Sequence, residues 1–280
     1  MRPFQLAAAD GARLFALYWP ATAAALSQAV LILPPLAEEM NKCRPMLAAQ
    51  ARAFAAVGLH VLMVDLFGTG DSDGEFAAAR WQRWQQDLQH AREWLVTELE
   101  VSAVHLLAVR AGALFAPALL TPESASRRTR AEMAKLMLWQ PVLKGSDAWR
   151  QLLRMRLMAD SARGQQGSSS ELEQRLTREG SLEIGGYTIA AALAAELNAA
   201  QLDASTLQDT AVLWAEVTAS DPPALSTAGA RLCQQWTQGK VRLERAAVRG
   251  EPFWSTPEIG WARALLEPTT AFAVRASGLT

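Results

Sequence analysis

Histidine and cysteine are scarce in this chain, which has three histidines and two cysteines among its 280 residues. The cysteines, Cys43 and Cys233, lie far apart and fit neither a metal-binding spacing nor a disulfide framework. Isolated cysteines of this kind favour a reducing compartment. The sequence therefore predicts no metal site and gives no sign of a bound cofactor.

An excess of basic charge and long apolar runs are also missing. The formal net charge is −1, whereas nucleic-acid-binding proteins usually present a basic face. No stretch reaches the ~18 apolar residues that predict a membrane span, and the first residues lack the pattern of a signal peptide. We therefore expect a cytoplasmic protein with no nucleic-acid partner and no membrane span.

What the chain does contain is apolar sequence, because hydrophobic residues make up 50% of it. Short apolar runs alternate with helical periodicity, which predicts strands covered on both faces and helices between them. An antiparallel pair with a two-residue turn at Asp10-Gly11 is expected at the start. The predicted strands are 29–35, 59–66, 101–109, 134–142, 210–217 and 241–248, and the predicted helices are 43–58, 76–98, 111–120 and 225–236.

The pattern changes after the fourth of these strands. Residues 147–207 contain helical segments and a Gly/Ser-rich break but no clear buried strand. We predict an α/β core formed by 1–146 and 208–280, with 147–207 inserted as a helical cap. Ligands of such sheets bind beyond the carboxyl ends of the strands, so the loops at that edge are the candidate site.

Three segments at that edge resemble the α/β-hydrolase superfamily. DLFGTGDSDG (65–74) resembles its D-x-x-G-x-G-x-S segment, and LPPLAEEMNK (33–42) lies where its oxyanion-hole loop is found. AVRAG (108–112) lies where the superfamily has G-x-S-x-G, the sharp turn that carries the nucleophilic serine. The resemblance implies an α/β-hydrolase fold with a mostly parallel sheet, helices on both faces and an inserted cap.

A closer resemblance is to the second of the two exosortase A system-associated hydrolases. PPLAEEMNKCR, DLFGTGDS, the R-x-G turn, LWQPVLKG and the late GEPFW carry it, and it spans nearly the whole chain. It implies a bacterial hydrolase in an exopolysaccharide and exosortase context, with a protein partner in that system. It implies no residue-level mechanism.

The catalytic residues of a serine hydrolase are not in their places. Arg110 occupies the nucleophile position, and a guanidinium has no lone pair with which to attack. No histidine follows His105, and the loop expected to carry one reads VRGEPFW (248–254). Glu216 and Asp221 both lie near the expected acid position. We expect no Ser-His-Asp triad and interpret His60, His90 and His105 as structural.

Other nucleophiles have little support in the sequence. Ser72 follows turn glycines and is better explained as a residue that stabilises its loop. Cys43 opens a predicted helix, where a thiolate would be favoured, but no histidine is predicted beside it.

Charged residues occupy the candidate site instead. Glu38, Glu39, Asn41 and Lys42 lie in the first loop, and Arg110 begins a helix, where a cation is unfavourable unless an anion compensates it. That anion is either internal, Glu38 or Glu39, or a ligand with a carboxylate or phosphate group.

Two tryptophans add an apolar face to this candidate site. Trp139 and Trp254 lie at the same edge of the predicted sheet, and an indole ring suits the face of a sugar. Packing in the core is the default explanation for most tryptophans.

Three functions are therefore open. In the first, a pseudoenzyme binds a small anionic or saccharide-linked ligand through Glu38, Glu39, Asn41, Lys42, Arg110, Trp139 and Trp254. In the alternative, Glu38 or Glu39 is the base of a hydrolase whose ester or thioester is held by Arg110 and Lys42. In the third, the pocket is filled and the protein is a scaffold.

Overall fold

A computed structural model describes residues 1–120, 135–207 and 210–275 of the chain. Its strands are Arg2–Ala7 (β1), Arg13–Trp19 (β2), Gln28–Leu33 (β3), His60–Val64 (β4), Ala103–Val109 (β5), Lys135–Trp139 (β6), Ser181–Ile184 (β7), Tyr187–Ala190 (β8), Ala211–Thr218 (β9) and Arg242–Arg249 (β10). Its α-helices are Glu38–Ala56 (α1), Trp81–Glu98 (α2), Ala116–Leu120 (α3), Gly145–Ala162 (α4), Ser169–Glu179 (α5), Ala191–Ala199 (α6), Thr227–Gln238 (α7) and Leu266–Val274 (α8).

Eight of the strands form one sheet in the order β1-β2-β4-β3-β5-β6-β9-β10. The pairs β1–β2 and β2–β4 are antiparallel, and every pair from β4 to β10 is parallel. The expected mostly parallel sheet is confirmed. The parallel strands end at the same edge, so the loops that follow β3, β5, β6 and β9 meet there.

The sheet is covered on both faces, as its continuous apolar strands predict. Along β3, Leu31 and Leu33 pack into one apolar cluster, which includes Leu88 of α2. Ile32, between them, packs into the opposite cluster with Phe54 of α1. Successive side chains of a strand alternate in direction, so both faces of β3 need apolar residues.

The first hairpin has a longer turn than the two-residue one that the sequence predicts. The Ala8 N–H donates to the carbonyl oxygen of Ala12 at 2.8 Å, which closes a loop of three residues around Asp10-Gly11. The Asp10 carboxylate accepts from the Ala12 N–H at 3.1 Å. This side-chain bond favours the longer loop.

Helices α1, α2 and α3 begin at other positions than predicted, and α2 begins at Trp81 rather than at residue 76. Helix α1 begins at Glu38 rather than Cys43, so Glu38, Glu39, Asn41 and Lys42 lie on its first turns and not in a loop. After Val109 the chain forms a 3₁₀ turn, and α3 starts only at Ala116. The turn is tight because Gly112 lies against β3, where a Cβ atom would meet the carbonyl oxygen of Leu33 at 2.3 Å.

The inserted cap contains α4, α5 and α6 and also a hairpin of β7 and β8. Only helices were predicted here. The hairpin was missed because the strands β7 and β8 are too short to give recognisable apolar runs. Gly185 and Gly186 form its turn with φ angles of +58° and +86°, the conformation that a two-residue hairpin requires. Helix α4 begins at Gly145, just before the predicted cap boundary.

Side-chain hydrogen bonds tie the cap to the core. The Trp81 N–H at the start of α2 donates to the Glu196 carboxylate of α6 at 2.6 Å. The Asn41 amide donates to the Tyr187 hydroxyl of β8 at 3.0 Å. The predicted core segments also include 121–134, 208–209 and 276–280, which lie outside the described residues.

Candidate functional site

Arg110 follows β5 directly and has a φ angle of +55°. A positive φ is uncommon for a residue with a side chain, and such strain persists only where the surroundings enforce it. The sharp strand-to-helix turn predicted at 108–112 is thus present in the backbone. The chemistry at its tip is that of a cation and not of a nucleophile.

The guanidinium of Arg110 is held by three neighbours. Its Nε–H donates to Oε1 of Glu39 at 3.1 Å, and Nη1 donates to the carbonyl oxygen of Gln140 at 3.1 Å. Nη2 donates to Oε1 of Gln151 on α4 at 2.8 Å. Its Cζ atom lies 5.2 Å from the centre of the Trp254 ring. The internal anion is therefore Glu39 and not Glu38.

Burial governs the protonation of Glu39. It raises the pKa of this carboxyl above its ordinary value, and the nearby guanidinium of Arg110 only partly opposes that rise. The Glu39 side chain is 26% exposed and that of Arg110 is 12% exposed. The pair lies at the margin of the core, where removal of either partner would leave the other poorly solvated.

The other predicted residues of α1 have separate environments. The Asn41 amide donates to Glu38 Oε2 at 3.3 Å and to the Tyr187 hydroxyl of the cap. Lys42 is half-buried and makes no hydrogen bond or ion pair with the residues described. The structure thus brings Glu39 to Arg110 and leaves Glu38, Asn41 and Lys42 beside that pair.

The two tryptophans of the predicted site differ. Trp139 is 1% exposed, its indole N–H donates to Thr269 Oγ1 at 2.9 Å, and its ring packs edge-on against Phe253. It therefore lies in the core and presents no face to a ligand, contrary to the prediction. Trp254 is half-buried and stacks beside Arg110.

Backbone strain is concentrated around this site. Ala37, just before α1, and Gln140, just after β6, have φ angles of +50° and +43°. Ala37 lies two residues before Glu39, the ion-pair partner of Arg110. Gln140 is itself a partner, because its carbonyl oxygen accepts from the guanidinium. Strained residues of this kind cluster at functional sites.

Two cavities share Gln151 as a lining residue, and Arg110 lines the larger of them. The first, which we call the small pocket, has a volume of about 70 Å³ and lies between α1, the turn at Ala111 and the cap helix α4. It is lined by Leu36, Glu38, Glu39, Ala111, Ala148, Gln151, Leu152 and Met155. Its wall is apolar apart from one amide and two carboxyl groups.

The second cavity, which we call the groove, has a volume of about 770 Å³ and runs between α4 and α7. Among the described residues, its charged side chains are Arg110, Lys144, Asp147, Arg150, Arg154 and Asp203. Cations therefore outnumber acids along it. This volume falls within the ~300–1,000 Å³ of ordinary ligand pockets.

Sequence reasoning missed two of the three partners of Arg110, and it missed the groove. Gln140 and Gln151 gave no signal, because a single amide has no recognisable spacing. The cations did leave one: Arg154 lies four residues after Arg150 and three after Gln151, which places these side chains on one side of α4, and Lys144 directly precedes that helix. That helix had been interpreted only as part of a cap.

The expected loss of the triad agrees with the roles of the histidines. His60 Nδ1 lies 2.7 Å from the Tyr18 hydroxyl, and burial lowers the pKa of its ring. His105 is buried in β5, and burial with Lys135 nearby lowers its pKa to about 4. His90 is exposed on α2 beside Glu93.

The acid position is also used for structure. Glu216, at the end of β9, accepts from the Trp214 indole N–H at 2.8 Å and from the Ser226 N–H at 2.7 Å, beside the start of α7. Asp221 pairs with Arg249 in an exposed ion pair at 3.1 Å.

The two candidate replacement nucleophiles are unsuited to attack. The Ser72 hydroxyl donates to the Asp65 carbonyl oxygen at 2.6 Å and accepts from the Phe15 N–H at 2.8 Å. Cys43 is fully buried, and burial raises the pKa of its thiol far above the ordinary value. A thiol that stays protonated is a poor nucleophile.

The described residues also lack the patterns of a metal site and of a membrane-spanning helix. Within the described ranges, no cluster of three or more histidine, cysteine or acidic residues could hold a metal ion. No helix in the same ranges is long and apolar enough to cross a membrane.

Comparison with known proteins places this architecture. No protein-family model and no curated protein matches the chain. Among solved structures, Est1E from Butyrivibrio proteoclasticus, which has ferulic acid bound, is similar with a TM-score of 0.65 and 14% identity, over 96% of this chain and 97% of Est1E. The α/β hydrolase GrgF from Penicillium sp. sh18 gives a TM-score of 0.58 and 16% identity, over 97% of this chain and 96% of GrgF.

A third similar structure is that of an epimerase. The bottromycin epimerase BotH, in complex with bottromycin A2, gives a TM-score of 0.52 and 15% identity, over 98% of each chain. At such low identity the likeness concerns architecture only, and it extends over nearly the full described sheet and cap. The chain has the α/β-hydrolase fold.

Proposed function

We propose that this protein is a pseudoenzyme that binds an anionic ligand in the groove and does not hydrolyse it. The observation that carries the proposal is the position of Arg110, which occupies the nucleophile turn and also lines the cation-rich groove. A fold by itself does not fix an activity, and the similarity to an epimerase is consistent with that separation.

Arg110 keeps hydrogen-bonding capacity for a ligand. A guanidinium has five N–H donors, and three of them are used by Glu39, Gln140 and Gln151. About two donors are therefore left for a ligand. A carboxylate or phosphate accepts such bonds, and charge-assisted bonds are about twice as strong as neutral ones.

Two further cations of the groove, Lys144 and Arg154, form no ion pair with any described residue. The third, Arg150, pairs with Asp147. Lys144 also precedes the first turn of α4, where the helix dipole adds positive potential. An anion bound in the groove would offset the positive charge of these cations.

The alternative is an active hydrolase of esters or thioesters, and one observation favours it. Glu39 has a raised pKa and lines the small pocket together with Ala111, the residue after the nucleophile position. A carboxyl of this kind is a candidate general base. Its hydrogen bond to Arg110 opposes that role, because the guanidinium stabilises the carboxylate.

Hydrolysis assays separate the two functions. We would test p-nitrophenyl acetate, p-nitrophenyl octanoate and acyl-coenzyme A thioesters with the native chain, Arg110→Ala and Glu38→Ala/Glu39→Ala. We expect the same background rate in all samples. A rate that exceeds background and falls in both variants, while they stay folded, would establish the hydrolase.

Binding is tested with citrate and inorganic phosphate by isothermal titration calorimetry at low ionic strength. We expect both anions to bind the native chain and to lose about tenfold or more in affinity in Lys144→Ala/Arg154→Ala, since two charged contacts are removed. Arg52→Ala is the matched control, because Arg52 is an exposed cation of α1 outside the groove. Binding of neither anion, or equal losses in the control, would contradict the proposal.

The biological setting belongs to the same proposal. An exopolysaccharide or exosortase context, a partner protein in that system and a cytoplasmic location are supported by the resemblance of the sequence segments described above.

A further inference from the structure

We propose that the ligand of the groove is an acidic saccharide, with its charged group at the α4 side and its hydroxyls toward α7. This inference rests on the proposed function, since it requires the groove to be the binding site. It names the class of anion.

The lining of the groove divides by chemistry. The α4 side carries Lys144, Arg150 and Arg154, together with Asp147, which pairs with Arg150. The α7 side carries Leu232, Gln235 and Trp236 and no charged side chain among the residues described. A ligand that fills both sides needs an anionic group at one end and an uncharged portion at the other.

The amide side chains of the groove indicate the chemistry of the ligand's uncharged portion. Gln151, Gln201 and Gln235 all line the groove and are exposed. Gln201 and Gln235 make no side-chain hydrogen bond with any described residue, and Gln151 uses only its oxygen. Each amide offers donors and an acceptor, which pair with the hydroxyls of a sugar and find no partner on an acyl chain.

The apolar part of the lining suits a ring rather than a long chain. Val142 is buried, and Leu143 and Leu232 are only partly exposed. The apolar area that they leave exposed is therefore small, which matches one sugar ring better than a long acyl chain. A fatty acid would instead place its chain against Gln201 and Gln235, which leaves polar groups poorly solvated.

Four probes test this class by calorimetry: tri-galacturonic acid, glucose 1-phosphate, maltotriose and octanoate. We expect at least one acidic saccharide to bind about tenfold or more tighter than octanoate, since two amide hydrogen bonds contribute about 1 kcal/mol each. We expect the same margin over maltotriose, because maltotriose lacks the anionic group. The first two probes distinguish a carboxylate from a phosphate as the acidic group.

Matched variants locate the hydroxyl contacts. Gln201→Leu/Gln235→Leu should reduce binding of the acidic saccharide about tenfold or more and leave octanoate unchanged. Gln82→Leu, an exposed amide of α2 outside the groove, should change neither. Because both glutamines are exposed, the double variant is expected to fold.

The outcomes separate this inference from the proposed function. Octanoate binding as tightly as the acidic saccharides, or equal binding after the glutamine changes, would overturn the saccharide class while citrate binding still supported an anion site. Loss of all anion binding in the native chain would overturn both.

Discussion

The small pocket and the groove share Gln151 in their linings but differ in charge. Glu38 and Glu39 supply the charged groups of the small pocket, in otherwise apolar surroundings. The groove is about ten times larger and is dominated by cations. Arg110 lines the groove, whereas its partner Glu39 lines the small pocket.

The two cavities therefore differ in what a ligand would meet. The small pocket already holds the carboxyl of Glu39, which is bonded to the guanidinium of Arg110. The groove has the volume of an ordinary ligand pocket and contains two cations that form no ion pair with a described residue. Changes at Arg110 should therefore affect stability through its pair with Glu39 and binding through the groove.

The largest expected effect is the loss of the pair. Arg110→Ala leaves the Glu39 carboxylate without its guanidinium, and breaking a buried pair costs about 3–5 kcal/mol. Because the Glu39 side chain is a quarter exposed, we expect a loss of about 2 kcal/mol in the free energy of unfolding, measured by urea denaturation. Arg110→Ala/Glu39→Gln should recover part of it, and a double variant that is no more stable than Arg110→Ala would argue against the pair.

The next effect is a pH dependence. Burial raises the pKa of Glu39 in the folded state, so the carboxyl destabilises the fold once it ionises, and this penalty disappears as the pH falls. In Arg110→Ala the ionised carboxyl lowers the free energy of unfolding by more, because no guanidinium opposes the effect of burial. The stability difference between the native chain and Arg110→Ala should therefore narrow as the pH is lowered from 7 toward the ordinary value of 4.5.

Glu39→Gln serves as the control for this dependence, since it removes the titrating group. Thermal unfolding at a series of pH values, in both the native and the Glu39→Gln backgrounds, measures it. A gap of constant size from pH 7 to 4.5 would show that Glu39 is not the group responsible.

A smaller effect concerns the backbone at the same position. Glycine adopts a positive φ without a steric penalty, whereas a residue with a Cβ atom is strained by about 1 kcal/mol. Arg110→Gly should therefore be about 1 kcal/mol more stable than Arg110→Ala in urea denaturation. Equal stabilities would mean that the turn relaxes when the guanidinium is removed.

The smallest expected effect is at the boundary between the cavities. Gln151→Ala removes one hydrogen bond to Arg110 from an exposed amide, so stability should fall by at most about 1 kcal/mol. Citrate affinity should change by less than in Lys144→Ala/Arg154→Ala. A larger loss of affinity for Gln151→Ala would place the anion at the boundary rather than along α4.

The sequence predicted the sheet well because its strands are covered on both faces and read as apolar runs. It predicted the sharp turn at Arg110 for the same reason, since a turn between a buried strand and a helix has few alternatives. The hairpin of β7 and β8 was missed because strands of four residues give too short a pattern.

The site was predicted in part. Arg110 and Glu39 could be paired on paper because both follow neighbouring strands, but the choice between Glu38 and Glu39 depends on side-chain direction within one turn of α1. Trp139 was assigned to the site because it ends its strand. The position of a residue in a strand does not reveal whether its side chain points to the core or to a ligand site, and the side chain of Trp139 is buried in the core.

The bonds of Glu216 bear on any attempt to engineer an esterase from this chain. A serine at position 110 and a histidine in the loop after β10 would still need an orienting carboxylate, and both oxygens of Glu216 already accept hydrogen bonds from Trp214 and Ser226. Turning this carboxylate toward a new histidine would weaken those bonds beside the start of α7. A working triad would therefore require either an adjustment there or a new acid at the sheet edge, together with a neutral residue for Glu39, so that building an esterase means changing several loops.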